Sequence, residues 1–410
     1  MNLFSPMTLP NGSQIPNRLG KAAMEENLAD RDHAPSAQLL RLYQAWADGG
    51  VGLLLTGNVM VDARAMTGPG GVVLEDDLHL DRFIAWAKVA QSRGGKIWMQ
   101  LNHPGRQMAA ALGQETVAPS AVAMDLGAFS KQFPVPRAMT EQEIAEVQMR
   151  FVRAAELAER SGFNGVQIHA AHGYLLSQFL SPLSNHRVDQ WGGELENRAR
   201  LLLDIVKAVR KKVSPGFAVA VKLNSADFQR GGFSREDARG VVAMLNGLGV
   251  DLIELSGGSY EAPAMQGISR DGRTLAREAY FLEFATEILS VAEMPIMVTG
   301  GIRRRQVAQQ VLDSGVAMVG MATALALNPD LPQEWRADRE TIRGLRSVAW
   351  KSKTLVSVAT MAMVKYQLHR LSRGKPTSPD VSPIWALLLQ QWDTVWRSRT
   401  YKRWINSRRA

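Results

Sequence analysis

Short apolar runs alternate with longer amphipathic stretches from Asn17 to about Leu327. A short apolar run is typical of a buried strand, and apolar residues at helical spacing over a longer stretch are typical of a surface helix. Helices are predicted, for example, over residues 80–92 and 141–161. Eight apolar runs predict strands over residues 19–24, 51–56, 96–101, 165–170, 218–223, 251–255, 295–299 and 317–321.

The strict alternation of strands and helices predicts the fold class, α/β. Eight strands with intervening helices favour a closed (β/α)8 TIM barrel, although a doubly wound open sheet has the same local pattern. Thr140 and Glu143 predict a capping box at the start of one helix. Residues 3–15, with Pro-Asn-Gly at 10–12, predict an N-terminal β-hairpin that closes one end of the barrel.

The composition is that of a globular protein and excludes several kinds of chemistry. Of the 410 residues, 46% are hydrophobic and 21% are charged. The chain contains no cysteine, which excludes disulfides, thiolate metal sites, iron–sulfur clusters and cysteine nucleophiles. The first residues do not resemble a signal peptide, and no apolar run is long enough to span a bilayer. We therefore expect a cytoplasmic protein.

Positive charge is concentrated near the C-terminus. Residues 336–410 contain 16 Lys+Arg against 4 Asp+Glu, a balance of +12, whereas the whole chain carries +9 and residues 1–335 therefore carry −3. The same segment holds five of the ten tryptophans. We divide the chain into a barrel domain, 1–335, and a basic, Trp-rich helical C-terminal extension, 336–410. A long helix over 339–371 and a linker over 373–383 are predicted within the extension.

The last helix of the extension carries one apolar stripe at helical spacing, formed by Trp385, Leu388, Leu389, Trp392 and Trp396. We expect this helix to pack on the barrel or on a second copy in a homo-oligomer. A peripheral contact with an anionic membrane surface is the alternative, because basic residues follow the stripe. Nucleic acid is a disfavoured partner, since no recognition module is visible.

Polar residues at the carboxyl ends of the strands are the candidates for chemistry, because the active sites of (β/α)8 barrels lie there. The fourth predicted strand runs into the sequence HAAHGY, which contains His169, His172 and Tyr174. These side chains offer two N–H donors and one weak acid to a small polar group. A zinc site is disfavoured because no third ligand is near, and two histidines that only satisfy buried backbone groups are the other alternative.

The sequence that follows is more specific. Residues 177–198, together with HAAHGYL immediately before them, resemble the long signature of the old yellow enzyme family of FMN-dependent oxidoreductases. The resemblance covers about residues 1–335 and implies FMN as cofactor, with NADPH or NADH as hydride donor. No metal is implied.

The resemblance also implies the site residues. His169 and His172 match the pair that holds the substrate oxygen, and Tyr174 matches the proton donor, so all three are candidate catalytic and substrate-binding residues. Asn27 is a further candidate for substrate contact. The candidate residues around the FMN ring are Ala23, Met24, Glu25, Asn58, Gln100 and Lys222, and those around its phosphate are Gly300, Gly301, Ala322 and Thr323.

Three of these residues depart from the family pattern. Glu25 stands where Thr or Cys is common near the flavin, and an ionised carboxylate there would disfavour the anionic reduced flavin. The alternative for Glu25 is a side chain turned away to pair with Arg18 or Lys21. Asn27 stands near a position that is often aromatic, and Thr323 stands where arginine is frequent. Arg303, Arg304 and Arg305 could assist at the phosphate or could form only a solvated helix start.

The resulting hypothesis is an FMN-dependent NAD(P)H oxidoreductase of the ene-reductase type. It would reduce the C=C bond of an α,β-unsaturated carbonyl compound or a related nitro compound. One alternative is oxidative chemistry, dehydrogenation or demethylation, on the same flavin barrel. The other is a catalytically weakened flavin-binding scaffold.

Overall fold

The computed structural model describes residues 1–264 and 278–408 of the chain. Its strands are β1 Met7–Thr8, β2 Gln14–Ile15, β3 Leu19–Lys21, β4 Leu53–Met60, β5 Val72–Val73, β6 Lys96–Asn102, β7 Val117–Ala118, β8 Arg137–Ala138, β9 Gly165–Ala170, β10 Ala218–Asn224, β11 Leu252–Ser256, β12 Ile296–Val298 and β13 Met318–Met321. Its α-helices are α1 Ala37–Asp48, α2 Leu80–Ala90, α3 Glu141–Arg160, α4 Leu175–Leu180, α5 Leu195–Lys212, α6 Arg235–Leu245, α7 Leu282–Ile288, α8 Arg305–Asp313, α9 Thr323–Leu327, α10 Leu331–Arg336, α11 Lys353–Leu371 and α12 Pro383–Ser407.

Eight parallel strands form a closed barrel. The strand order is β3, β4, β6, β9, β10, β11, β12, β13, and β3 pairs with both β4 and β13, which closes the sheet. Each predicted apolar run contains one of these strands, so the predicted (β/α)8 barrel is confirmed. The bounds differ most at the second strand, which continues to Met60 through a register irregularity between Leu55 and Asn58.

The predicted hairpin is confirmed as β1 and β2, which pair antiparallel. Its apolar residues, among them Leu9 and Ile15, pack with Trp98 and Met297 inside the barrel. The backbone N–H of Asn11 donates to the Asp251 carboxylate over 3.0 Å and fixes the turn of the hairpin. The hairpin therefore closes the barrel at the amino ends of the strands, and the carboxyl ends remain for the site.

The predicted capping box at the start of α3 is also present. The Thr140 side chain accepts from the N–H of Glu143 over 3.2 Å, and the Glu143 carboxylate accepts from the N–H of Thr140 over 2.8 Å. Two donors that a helix start leaves without partners are thereby satisfied.

The predicted long helix over 339–371 is wrong in its first part. The helix begins at Lys353, because the Ser352 hydroxyl caps it by accepting from the N–H of Leu355, and residues 339–352 form neither helix nor strand. The predicted linker over 373–383 does separate α11 from α12. α12 packs on α11 and on the loop that follows β6.

The predicted packing of the last helix on the barrel is confirmed, but the Trp385–Trp396 stripe is not the face that packs. Trp385 is 53% exposed, Trp392 77% and Trp396 50%. α12 docks by its other face, because Tyr401 is fully buried and donates to the Ala63 carbonyl over 2.9 Å. Tyr401 and Ile405 share an apolar cluster with Met60, Met66 and Met108, so Trp385, Trp392 and Trp396 on the opposite face point outwards.

The two faces of α12 should differ sharply in their effect on stability. Tyr401→Ala removes a buried ring and its hydrogen bond and should lower the free energy of unfolding by about 3–5 kcal/mol. Trp392→Ala should change it by no more than about 0.5 kcal/mol. Urea unfolding of both variants measures the difference, and a larger loss for Trp392→Ala than for Tyr401→Ala would overturn this orientation of the helix.

Candidate active site

The carboxyl ends of β9, β10 and β11 bring the histidine pair to one place. His169 lies on β9 beside Lys222 of β10, which is paired with Glu254 of β11. His172 follows β9 with a φ of 61°, and its N–H donates to the Asn224 side chain at the end of β10 over 3.0 Å. The strand register therefore fixes the position of His169, and the backbone hydrogen bond fixes that of His172.

The two imidazole rings are 5.0 Å apart between centroids and nearly perpendicular. The backbone N–H of Ala171 donates to His169 Nδ1 over 3.2 Å, so a neutral His169 carries its proton on Nε2 and is a donor there. His172 Nε2 lies 2.7 Å from the Ser256 hydroxyl. Burial, and secondarily the Lys222 ammonium, hold the pKa of both histidines well below the usual value of 6.5. Both rings are therefore neutral near pH 7.

Tyr174 completes the group next to the histidines. Its ring lies 4.9 Å from that of His169, and its hydroxyl lies 3.0 Å from the Tyr260 hydroxyl. Burial, and then the Glu25 carboxylate, raise the pKa of Tyr174 well above 10. The phenol therefore keeps its proton at neutral pH and can act as a donor.

Glu25 points into this group. Asn58 donates to the Glu25 carboxylate over 2.8 Å, and the Tyr174 hydroxyl lies 3.5 Å from it. The alternative pairing of Glu25 with Arg18 or Lys21 is wrong. Lys21 pairs with the next residue, Glu26, over 3.2 Å.

Arg18 reaches the other end of the strands instead. Its guanidinium donates to the Ala317 carbonyl over 2.8 Å and to the Ser5 hydroxyl over 3.2 Å. The barrel wall therefore separates Arg18 from Glu25.

A chain of buried polar side chains crosses four neighbouring strands beneath the histidines. Gln100 donates to Gln167 over 2.6 Å, and Gln167 donates to the Glu254 carboxylate over 2.8 Å. Lys222 forms an ion pair with Glu254 over 2.9 Å. All four side chains are at least 95% buried, so each polar group depends on the next for its partner.

The predicted phosphate residues lie on two adjacent loops. Gly300 and Gly301 follow β12, while Ala322 and Thr323 follow β13, its neighbour in the barrel. Gly300 and Gly301 have φ of 130° and 71°, values that favour glycine. Gly301 and Thr323 are exposed, so an anion can reach them.

The nearby arginines are engaged elsewhere. Arg303 and Arg304 both pair with Glu278, over 3.1 and 2.9 Å, and Arg305 pairs with Asp338. All three side chains are exposed by a third or more. The solvated helix start is therefore the interpretation that these contacts favour.

Ala23 and Met24 follow β3 and lead directly to Glu25. Asn27 is buried with a φ of 50°. A Cβ placed on Gly68 would lie 3.3 Å from Asn27 Nδ2, so Asn27 packs on the loop that follows β4. The structure thus places Asn27 beside that loop.

Several residues at the site are absent from the sequence-based prediction. Tyr260, Ser256 and Asn224 contact the histidines or Tyr174, but hydroxyls and amides near strand ends are common and carry no strong signal. Glu254 did carry a signal, because a carboxylate within the apolar run of β11 requires a buried cation. No group of three or more potential metal ligands is found among residues 1–264 and 278–408.

The donor set fits a flavin mononucleotide. Asn58 Oδ1 is buried without a partner in the described part of the chain and can accept from a ring N–H. Lys222 supplies a fixed cation, and the loops that follow β12 and β13 offer backbone N–H groups for a phosphate.

Comparisons with known proteins agree with this geometry. A family model described as "NADH:flavin oxidoreductase / NADH oxidase family" matches residues 2–341. The NADH-dependent flavin oxidoreductase iliE of Hypocrea jecorina (strain QM6a) is 37% identical over 350 residues, which are 80% of this chain and 87% of that protein.

Solved structures show the same fold. An old yellow enzyme homologue from Zymomonas mobilis matches with a TM-score of 0.72 at 26% identity, covering 85% of this chain and 95% of that one. A 2-naphthoyl-CoA reductase complex matches with a TM-score of 0.76 at 26% identity, covering 83% of this chain and 52% of that one.

Fold and comparisons together define a (β/α)8-barrel flavin oxidoreductase. More specifically, the chain belongs to the NADH:flavin oxidoreductase / NADH oxidase family, which includes the old yellow enzymes and uses FMN with NADH or NADPH.

The Lys222–Glu254 pair should contribute strongly to the free energy of unfolding. Glu254→Leu leaves a buried ammonium without its counter-ion and should lower the free energy of unfolding by about 3–5 kcal/mol. The double variant Lys222→Met/Glu254→Leu should lose less, because no charge remains unpaired.

Urea unfolding compares these variants with Asp77→Asn, which breaks the exposed pair of Asp77 and Arg160 and should cost less than about 1 kcal/mol. An equal loss for Glu254→Leu and Asp77→Asn would show that the buried pair is not needed.

Proposed function

We propose that the protein is an ene-reductase, which reduces the C=C bond of an α,β-unsaturated carbonyl or related nitro compound. The observation that carries this proposal is the convergence of His169, His172 and Tyr174 at the carboxyl ends of the barrel strands. The similarity to an NADH-dependent relative favours NADH over NADPH as the hydride donor. When bound, FMN supplies the hydride that it has received from the nicotinamide.

The histidines hold the substrate oxygen. The neutral His169 donates from Nε2, and His172 offers a second ring N–H. Negative charge grows on that oxygen as hydride reaches the β-carbon, so donors aimed at it stabilise the transition state more than the bound substrate. Because both rings are buried and neutral, neither needs to lose a proton for this role.

Tyr174 protonates the α-carbon. Its phenol keeps its proton at neutral pH, and the Tyr260 hydroxyl beside it keeps the group oriented. The C–H bond at the α-carbon therefore forms with the phenolic proton, and solvent restores that proton afterwards.

The remaining candidate residues would bind FMN. Gln100 and Lys222 would lie beside the flavin ring, where the Lys222 cation favours charge on the reduced ring. Ala23, Met24, Glu25 and Asn58 would line its other edge. Gly300, Gly301, Ala322 and Thr323 would hold the phosphate through backbone N–H groups and a hydroxyl. Asn27 would affect substrate choice through the neighbouring loop.

Tyr174→Phe should separate proton donation from flavin reduction. We expect kcat for cyclohexenone to fall by about 10²–10⁴-fold, since a general acid contributes that much, while the rate of flavin reduction by NADH changes little. Tyr366→Phe, in α11, is the control. Stopped-flow absorbance of both half-reactions measures the effect.

The paired variant His169→Ala/His172→Ala should lose turnover and the perturbation of flavin absorbance by a phenol. If both variants kept enone reduction, the roles of the histidines and of Tyr174 would be wrong, whereas a wild type that binds FMN but reduces no enone would favour the scaffold alternative. If the variants instead lost oxidation of a secondary cyclic alcohol that the wild type performs well, the oxidative alternative would gain.

We also propose that residues 336–410 form an extension, distinct from the FMN-binding barrel of residues 1–335, that contacts an anionic membrane surface. The exposed face of α12 carries Trp385, Trp392 and Trp396 and then, along the same helix, exposed Arg399 and Arg403. Aromatic rings followed by basic groups suit a lipid interface. No helix in the described residues is long and apolar enough to cross a membrane.

Co-sedimentation with vesicles tests this contact. The protein should bind phosphatidylglycerol-containing vesicles, bind pure phosphatidylcholine vesicles weakly, and lose binding in Trp392→Ser/Trp396→Ser. A wild-type dimer that this variant converts to a monomer, without vesicle binding, would assign the face to a homo-oligomer instead.

A further inference from the structure

The extension lies on the catalytic end of the barrel. His369 of α11 places Nε2 3.2 Å from the Glu26 carbonyl oxygen, and Arg397 of α12 donates to the Ala29 carbonyl over 3.1 Å. A Cβ on Gly70 would lie 2.8 Å from Arg397 Cδ, so the fit is close. Both helices therefore hold the loop that carries Glu25 into the site.

Lys365 occupies the helix face that meets this loop. It precedes His369 by four residues, and residues four apart lie one above the other on the same face of a helix. Its charged neighbours are Glu25 and Glu26 from the loop, Asp393 and Arg397 from α12, and His369 from its own helix.

Two of the three carboxylates near Lys365 already form ion pairs with other cations. Glu26 pairs with Lys21 over 3.2 Å, and Asp393 pairs with Arg397 over 2.8 Å. Among the residues that the structure describes, Glu25 receives only neutral donors, an amide and a phenol. Within residues 1–264 and 278–408, no cation lies within 4.0 Å of the Glu25 carboxylate and no carboxylate lies within 4.0 Å of the Lys365 ammonium.

The environment of Lys365 is consistent with this match. Burial lowers the pKa of Lys365, and the Glu25 carboxylate is the first of the charges that oppose this shift. The Lys365 side chain is partly buried, and an ammonium withdrawn from water is stabilised by compensating negative charge.

We propose that Lys365 is a positioning residue of the active site: the extension supplies it to compensate the charge of Glu25 and so to set how readily the flavin is reduced. This inference rests on the proposed function, because it needs FMN beside Glu25. An uncompensated carboxylate disfavours added negative charge on the ring. Lys365 therefore offsets the effect of Glu25 on flavin reduction. A neutral residue at position 25 would have no such effect to offset.

The reduction potential of bound FMN tests the proposal. Lys365→Met should lower it, Glu25→Gln should raise it, and Lys365→Arg should keep it near the wild-type value. We expect about a tenfold change in the two-electron equilibrium constant for each loss, which corresponds to about 30 mV. Lys375→Met removes an exposed lysine of the same extension and should leave the potential unchanged.

A double-mutant cycle tests the contact without any flavin. Unfolding of the apoprotein with Lys365→Met, Glu25→Gln and both changes should give a coupling term that stabilises the wild type. Lys365→Gln replaces Lys365→Met if the latter does not fold.

The possible outcomes distinguish the role of Lys365 from the proposed ene-reductase function. An unchanged potential in Lys365→Met, or a cycle without coupling, overturns the role of Lys365 while leaving the ene-reductase function intact. A protein that never binds FMN refutes the proposed function, and the apoprotein cycle still decides whether Lys365 and Glu25 interact.

Discussion

The buried ion pair between Lys222 and Glu254 is the interaction on which the site depends. A lysine and a glutamate on neighbouring strands are tolerated in the barrel interior only because each compensates the other and Gln167 satisfies the remaining carboxylate oxygen. The same register that pairs Lys222 with Glu254 places His169 beside Lys222. Burial, with the cation as a second cause, therefore lowers the pKa of both histidines, and the proposed binding of a carbonyl oxygen requires neutral imidazoles with fixed N–H groups.

The apolar periodicity of the sequence predicted the barrel well, because a closed parallel sheet buries every strand and so demands eight separate apolar runs. Local chemistry also predicted the capping box of α3 and the hairpin, whose determinants lie within a few residues of each other. The histidine pair was predictable because both residues lie next to one strand end. Tyr260 was not, since it reaches Tyr174 from the loop that follows β11, 86 residues further along the chain.

The failures of prediction concern surfaces that an amphipathic pattern cannot distinguish. Helical spacing identified a stripe containing Trp385 and Trp392, but it could not indicate which face of α12 meets the barrel. Tyr401 and Arg397 decide that, through hydrogen bonds to the Ala63 and Ala29 carbonyls. Likewise, the sequence did not indicate that two consecutive glutamates have different environments. Glu26 forms an ion pair within the barrel wall, whereas Glu25 faces the site. The extension is thus part of the catalytic end as well as a carrier of an exposed aromatic face.

The visible spectrum of the purified protein, recorded anaerobically before and after NADH and again after cyclohexenone, tests the central assignment most directly. We predict a flavin absorbance band that NADH bleaches and the enone restores, because the proposed site would hold both the flavin and the carbonyl group. A protein that binds FMN and is reduced by NADH, but is not reoxidised by any enone or nitroalkene, would contradict the ene-reductase function. A colourless protein that cannot be reconstituted with FMN would contradict the flavin site itself.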